Sequence, residues 1–261
     1  MGKGELFEIQ RWEPGTGPPR YSNDVRGEIA KIRSSQGGRL LLNALAYHGK
    51  TVAIRPYTGQ DCNAETFNQV DGALVLFTPG ILRGTPCAGG GGGASLPHEI
   101  LHHELVHALR KVSGRDKVRG PRLSRQNLPY LDAEEFFAVL ATNIFISDSS
   151  NVNKSQLRGS SFNHEVLDGK FAESLAFFAM DAEVYNLVSR FCSENPGYSA
   201  VMANVPARFN PIAAYLRHPR QAFEISATAM DDDVWDSIDV NHLGKTPKRL
   251  RPRLGSNYPQ H

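Results

Sequence analysis

The apolar residues change their spacing along the chain, and each change marks an element. Leu101, Leu105 and Leu109 recur every fourth residue, the period of a helix that seats one face on a core. Ser95 suits the N-cap of that helix and Pro97 its first turn. Residues 132–143 are apolar nearly all round once their acidic start is passed. Phe136, Phe137, Val139 and Leu140 lead on to Ile144 and Phe145, the pattern of a buried helix. Upstream, Gly37 and Gly38 introduce a helix over 37–47, and His48-Gly49-Lys50 makes a turn. Val52 and Ile54 then alternate with Thr51, Ala53 and Arg55 as in a half-buried strand. Residues 61–70 are polar and read as a loop or an irregular strand, and a further strand spans 73–77 before Pro79-Gly80.

The remaining pattern completes an α+β chain. A Pro/Gly-containing lead-in covers 1–36, with one short helix over 23–32. Residues 37–165 make the core, a small mixed sheet packed on the helix of the leucine row and on the acidic-start helix. Residues 166–240 add a helical C-terminal portion of the same domain. Within it, 171–192 predict one long amphipathic helix stopped by Asn195-Pro196-Gly197, and shorter helices follow over 200–204 and 210–217. Residues 241–261 mix Lys, Arg and Pro and read as a basic, flexible tail.

The helix of the leucine row also carries the chemistry. His103-Glu104-Leu105-Val106-His107 places two imidazoles one turn apart on the same helix face, with a carboxylate beside them. Two neutral imidazoles and one further carboxylate can hold zinc while leaving a position open for water. The metal lowers the pKa of that water to about 7, and the Glu after the first His is placed to take its proton. His103 and His107 are therefore candidate metal ligands and Glu104 the candidate general base. A five-residue match of this kind arises by chance in roughly one chain in fifty of this composition, so its surroundings must decide. Strand character over 72–78 ahead of the helix is the order such a core requires.

A second copy of the motif, His98-Glu99-Ile100-Leu101-His102, ends where the first begins. It falls in the fraying first turn, so the register starting at His103 is preferred, with His98 a first-turn polar residue and His102 a neighbour of the cleft. Arg110 and Ser113 stand where a metzincin needs Gly and a third His, which excludes that subclass. Between His107 and Glu134 the only acids are Asp116 and Asp132, so a third ligand from a second helix falls to Glu134 or Glu135. Helical phase alone does not choose between them. Tyr130, His164 and Tyr185 are candidates for stabilising a tetrahedral oxyanion, a role set by geometry and not by spacing.

HELVHAL followed by AEEFFAVLATN resembles a gluzincin-type zincin, and Glu-Phe-Phe-Ala is similar to the third-ligand helix of the anthrax lethal factor protease. That match implies Glu135, directly before Phe136-Phe137, as the third zinc ligand. Gly37-Gly-Arg-Leu-Leu-Leu-Asn-Ala-Leu45 with Thr51-Val-Ala-Ile-Arg-Pro56 looks like the helix and strand that open the M91 group of zinc metallopeptidases. The resemblance covers residues 30–165. It implies a zincin-like core, a Zn2+ cofactor and peptide-bond hydrolysis in a host protein, signalling kinases among the substrates. It further implies a bacterial effector delivered to the host cytoplasm by a specialised secretion system. The extra motif register and the glycine run at 89–93 depart from the family pattern.

Composition narrows the classes. A chain of 261 residues with 40% hydrophobic content can bury a substantial core. Cys62, Cys87 and Cys192 are widely spaced, which indicates neither a disulfide framework nor a cysteine zinc cluster. No apolar signal segment opens the chain and no stretch reaches membrane-spanning length, so secretion without a cleaved signal peptide is expected. A net charge of +2 and the lack of a binding motif argue against nucleic acid as a partner. Residues 110–125 carry seven basic side chains against Asp116 and read as a solvated loop. The glycine run reads as a mobile connection, since no phosphate-binding Gly-Lys-Ser/Thr follows it. The leading expectation is an endopeptidase that takes a protein strand along the sheet edge. The alternative is a zincin-fold effector that binds a protein without proteolysis.

Overall fold

The structure is a computed structural model and describes residues 6–9, 20–58, 64–79, 96–116, 128–152, 155–161 and 165–228. In chain order its elements are β1 (Phe7–Ile9), α1 (Tyr21–Ser34), α2 (Gln36–Tyr47), β2 (Thr51–Arg55), β3 (Glu65–Gln69), β4 (Gly72–Leu76), α3 (Pro97–Val112), α4 (Ala133–Ser147), α5 (Glu183–Glu194), α6 (Pro196–Met202), α7 (Pro211–Arg217) and α8 (Pro219–Thr228). The class is α+β, as the pattern predicts. Residues 89–93 and 241–261, and Cys62, Cys87 and His164, lie outside the described residues.

The four strands form one mixed sheet in the order β1-β2-β4-β3. β1, β2 and β4 run parallel, while β3 is antiparallel to β4 and joined to it through Val70-Asp71. Val52, Ala53 and Ile54 are all buried, so β2 is covered on both faces and is not the half-buried strand its alternation suggests. The polar 61–70 stretch supplies β3, an edge strand whose Phe67 is exposed and whose Thr66 turns toward α3. An edge strand tolerates polarity because one side of it meets solvent.

α3 begins one residue later than Ser95 suggests. Leu96 is the N-cap, Pro97 opens the first turn, and the Glu99 carboxylate accepts the Leu96 N–H at 2.7 Å. Ser155 adds a backbone N–H and a hydroxyl to the same carboxylate. This turn is buried and not frayed: Glu99 and His98 have 0% and 2% of their surface exposed. α4 lies against α3, with Phe136, Phe137, Val139, Leu140, Ile144 and Phe145 all buried. Its N-cap is Asp132, which accepts the N–H groups of Glu134 and Glu135 at 3.0 Å each. At its far end Asp148 accepts the Gly37 N–H at 2.8 Å, tying α4 to the start of α2. The lead-in contributes α1, whose Val25, Ile29 and Ile32 enter the core.

The single long helix expected over 171–192 is not formed. Two short 3-10 turns, Gly169–Phe171 and Ala176–Ala179, precede α5, which starts only at Glu183. Polar side chains divert the backbone. Ser174 bonds the carbonyl of Arg208 and the N–H of Asn210, and Asp181 takes the N–H of Glu183. Asn195 ends α5 as expected, but Pro196 also opens α6, because the first helical position needs no N–H. α8 was not anticipated by the periodicity.

Candidate metal centre

His103 and His107 stand one turn apart on α3, and Glu135 reaches them from the first turn of α4. His103 Nε2 lies 3.3 Å from Glu135 Oε2, His107 Nε2 lies 3.3 Å from Glu135 Oε1, and the two Nε2 atoms are 3.1 Å apart. One donor atom from each residue falls within 4.8 Å of the others, an arrangement that could hold a metal ion. Among the described residues no other set of His, Cys, Asp and Glu gathers this way. The local folding explains the convergence. The Asp132 cap fixes where α4 starts, and the close packing of α3 on α4 sets the distance the Glu135 side chain must span.

Burial and charge act against each other at this centre. Burial, reinforced by the Arg158 guanidinium, pushes His103 down to about 3 against the pull of Glu135, so the ring is neutral as a ligand must be. At His107 burial also disfavours the cation, yet the hydrogen bond and charge of Glu135, with Glu104 and Glu134 behind it, raise it above the ordinary value. Burial would keep Glu135 protonated, but the two imidazoles hold it well below the carboxylate range. A carboxylate drawn to its anionic form beside two histidines suits a cation.

Glu104 stands beside this group without joining it. Its carboxylate accepts the Thr66 hydroxyl at 2.7 Å, which links it to the edge strand β3. Burial raises its pKa, and His107 and Thr66 oppose that rise. A carboxylate with a raised pKa can take up a proton and later release it near neutral pH.

Other residues singled out in the sequence fall elsewhere. Glu134 faces away from the two histidines and binds Arg110, whose Nη2 and Nε donate to it at 2.7 and 2.5 Å. Arg110 also pairs with Glu194 and lies over the Phe137 ring. The basic 110–125 stretch is therefore no solvated loop where it begins: Arg110 is 1% exposed, and Lys111 pairs with Asp116. Residues 117–125 lie outside the described residues. His98 points to Glu28 of α1, and His102 stacks on Phe145 with its Nδ1 3.1 Å from Thr142, so the upstream register is part of the packing between α1, α3 and α4. Tyr130 is the exception: buried edge-on to Phe136, it lies close enough to Arg158 for the two groups to act on each other's charge. Tyr185 joins Tyr215 and Phe223 in an aromatic cluster on the C-terminal helices.

Two neighbours of the centre escaped the sequence reading. Thr66 sits in a stretch with no clear period, and only an inward polar residue beside an outward Phe hints at its role. Arg158 lies in a loop, where a basic side chain is solvated by default; here it is 1% exposed with Nη1 2.9 Å from His103 Nδ1. None of the described helices is long and apolar enough to cross a membrane. No protein-family model, curated protein or solved structure matches this chain.

Proposed function

We propose that this chain is a zinc-dependent endopeptidase with a zincin-like core, in which His103, His107 and Glu135 hold the metal and Glu104 is the general base. One observation carries the reading: three donor atoms from α3 and α4 converge while a second, separate carboxylate, that of Glu104, stands beside them on the sheet-edge side. Zinc bonds of about 2.0–2.1 Å at tetrahedral angles put neighbouring donors about 3.3 Å apart. The two Nε2 atoms are 3.1 Å apart and each lies 3.3 Å from a different oxygen of the Glu135 carboxylate, separations of the size that two neighbouring donors on one zinc ion need.

When bound, zinc supplies a Lewis acid and an activated water at neutral pH. The chain does the rest. Glu104 accepts a proton from the attacking water and passes it to the leaving amine, and Thr66 fixes the carboxylate for both transfers. Among the described residues β3 is the sheet edge beside Glu104, and we assign its outer side as the track for an extended substrate strand. A protein substrate follows from that edge. By resemblance to the M91 group we assign the substrate to host signalling proteins and the chain to the secreted bacterial effectors.

Glu104→Gln tests the reading. It should keep zinc bound and lower turnover by about 10²–10⁴-fold, seen by profiling new N-termini in a lysate treated with each protein. Equal cleavage by both proteins would contradict the assignment of Glu104.

A further inference from the structure

We infer that Arg158 is a positioning residue of this centre, and that by occupying Nδ1 of His103 its guanidinium weakens the grip of that ring on a metal ion. The inference rests on the reading of His103, His107 and Glu135 as ligands. Arg158 is held from both ends. Its backbone N–H donates to Asn143 Oδ1 at 2.8 Å and its carbonyl accepts from Asn143 Nδ2 at 2.9 Å, which clamps the residue to α4. Nη2 donates to the Ser161 carbonyl at 3.2 Å, and Nη1 lies 2.9 Å from His103 Nδ1.

The polarity of that last contact is reversed from the usual one. A histidine that binds metal through Nε2 ordinarily carries its proton on Nδ1 and gives it to a carboxylate, carbonyl or water, which raises its basicity. A guanidinium has five N–H donors and no acceptor, so Nδ1 of His103 must be the acceptor here. With Nδ1 engaged, a neutral His103 carries its proton on Nε2, the atom that faces Glu135 and His107. Ligation through Nε2 must then displace that proton or push the guanidinium aside. The positive charge, set among Glu135, Glu104 and Glu99, also offsets carboxylates that would otherwise attract a cation. Both effects have the same sign.

Zinc affinity of the full chain, read by competition with a chromophoric chelator, tests this. Arg158→Gln supplies an acceptor for an Nδ1 proton and removes the charge, and it should bind zinc at least about tenfold more tightly. Arg158→Lys keeps a cationic donor and should stay close to the parent. A purely structural Arg158 predicts the reverse, with looser zinc in Arg158→Gln. Equal or weaker binding by a folded Arg158→Gln overturns the inference. Should that variant not fold, nitrogen-15 NMR of the zinc-free parent decides, since a neutral His103 with its proton on Nδ1 overturns the inference and one with its proton on Nε2 supports it. A parent chain that takes up no zinc removes both the site and this inference. Zinc binding that His103→Ala abolishes but Arg158→Gln fails to strengthen removes the inference alone.

Discussion

At the scale of single residues, Glu104 and Thr66 make a pair whose behaviour can be forecast with its sign. Burial raises Glu104, and the Thr66 hydroxyl favours its ionised form. A general base works only when ionised, so activity should rise with pH above the ordinary glutamate range. Thr66→Val removes the stabilising bond, raises Glu104 further and should move that ascending limb to higher pH in a kcat/KM profile. A limb that stays in place would show the bond to be idle. His103, Glu104 and His107 were legible because one helical turn fixes their spacing whatever the rest of the chain does. Glu134 and Glu135 were not separable, because adjacent helical positions differ only in direction. Arg110, from another element, is what claims Glu134. Arg158 was illegible for a related reason: its partner His103 lies 55 positions away in the sequence.

Among the elements, the joints between helices carry the clearest forecasts. A methyl group on Gly38 would stand 1.9 Å from the Ile32 carbonyl oxygen, where α2 starts tightly against the end of α1. Gly38→Ala should therefore cost about 1–3 kcal/mol in a denaturant titration. The Asp132 cap serves stability and site together. Asp132→Ala should cost about 1 kcal/mol and also weaken zinc binding, because the first turn it fixes carries Glu135. Unchanged zinc affinity with lost stability would confine the cap to folding. Helices α2 and α3 were readable because an apolar face repeats regularly over several turns, and α4 because its apolar run is too long for a strand. The break of 171–192 was not, since Ser174 acts through bonds to the distant Arg208 and Asn210, which no local period records.

For the whole molecule, the buried His102 predicts a response to acid. His102 is wholly buried, and desolvation holds its pKa well below 6.5. The unfolded chain takes up a proton near that value and the folded chain does not, so the contribution is complete above about pH 6.5 and is lost as pH falls below it. One such proton gives a slope of about 1.4 kcal/mol per pH unit. His107 and Glu104 are raised and act in the opposite sense, so the comparison that isolates His102 is between the parent and His102→Phe. With chelator present, the variant should lose stability less steeply below pH 6.5, and parallel curves would contradict the forecast.

The central claim concerns one cation shared by two helices. Zinc content and zinc-edge X-ray absorption, measured on the chain and on His103→Ala, His107→Ala and Glu135→Ala, test it most directly. The account predicts a single zinc held by two imidazole nitrogens and a carboxylate oxygen at about 2.0–2.2 Å, and its loss or marked weakening in each variant. A chain that retains no zinc, or one whose zinc survives all three substitutions, would contradict it.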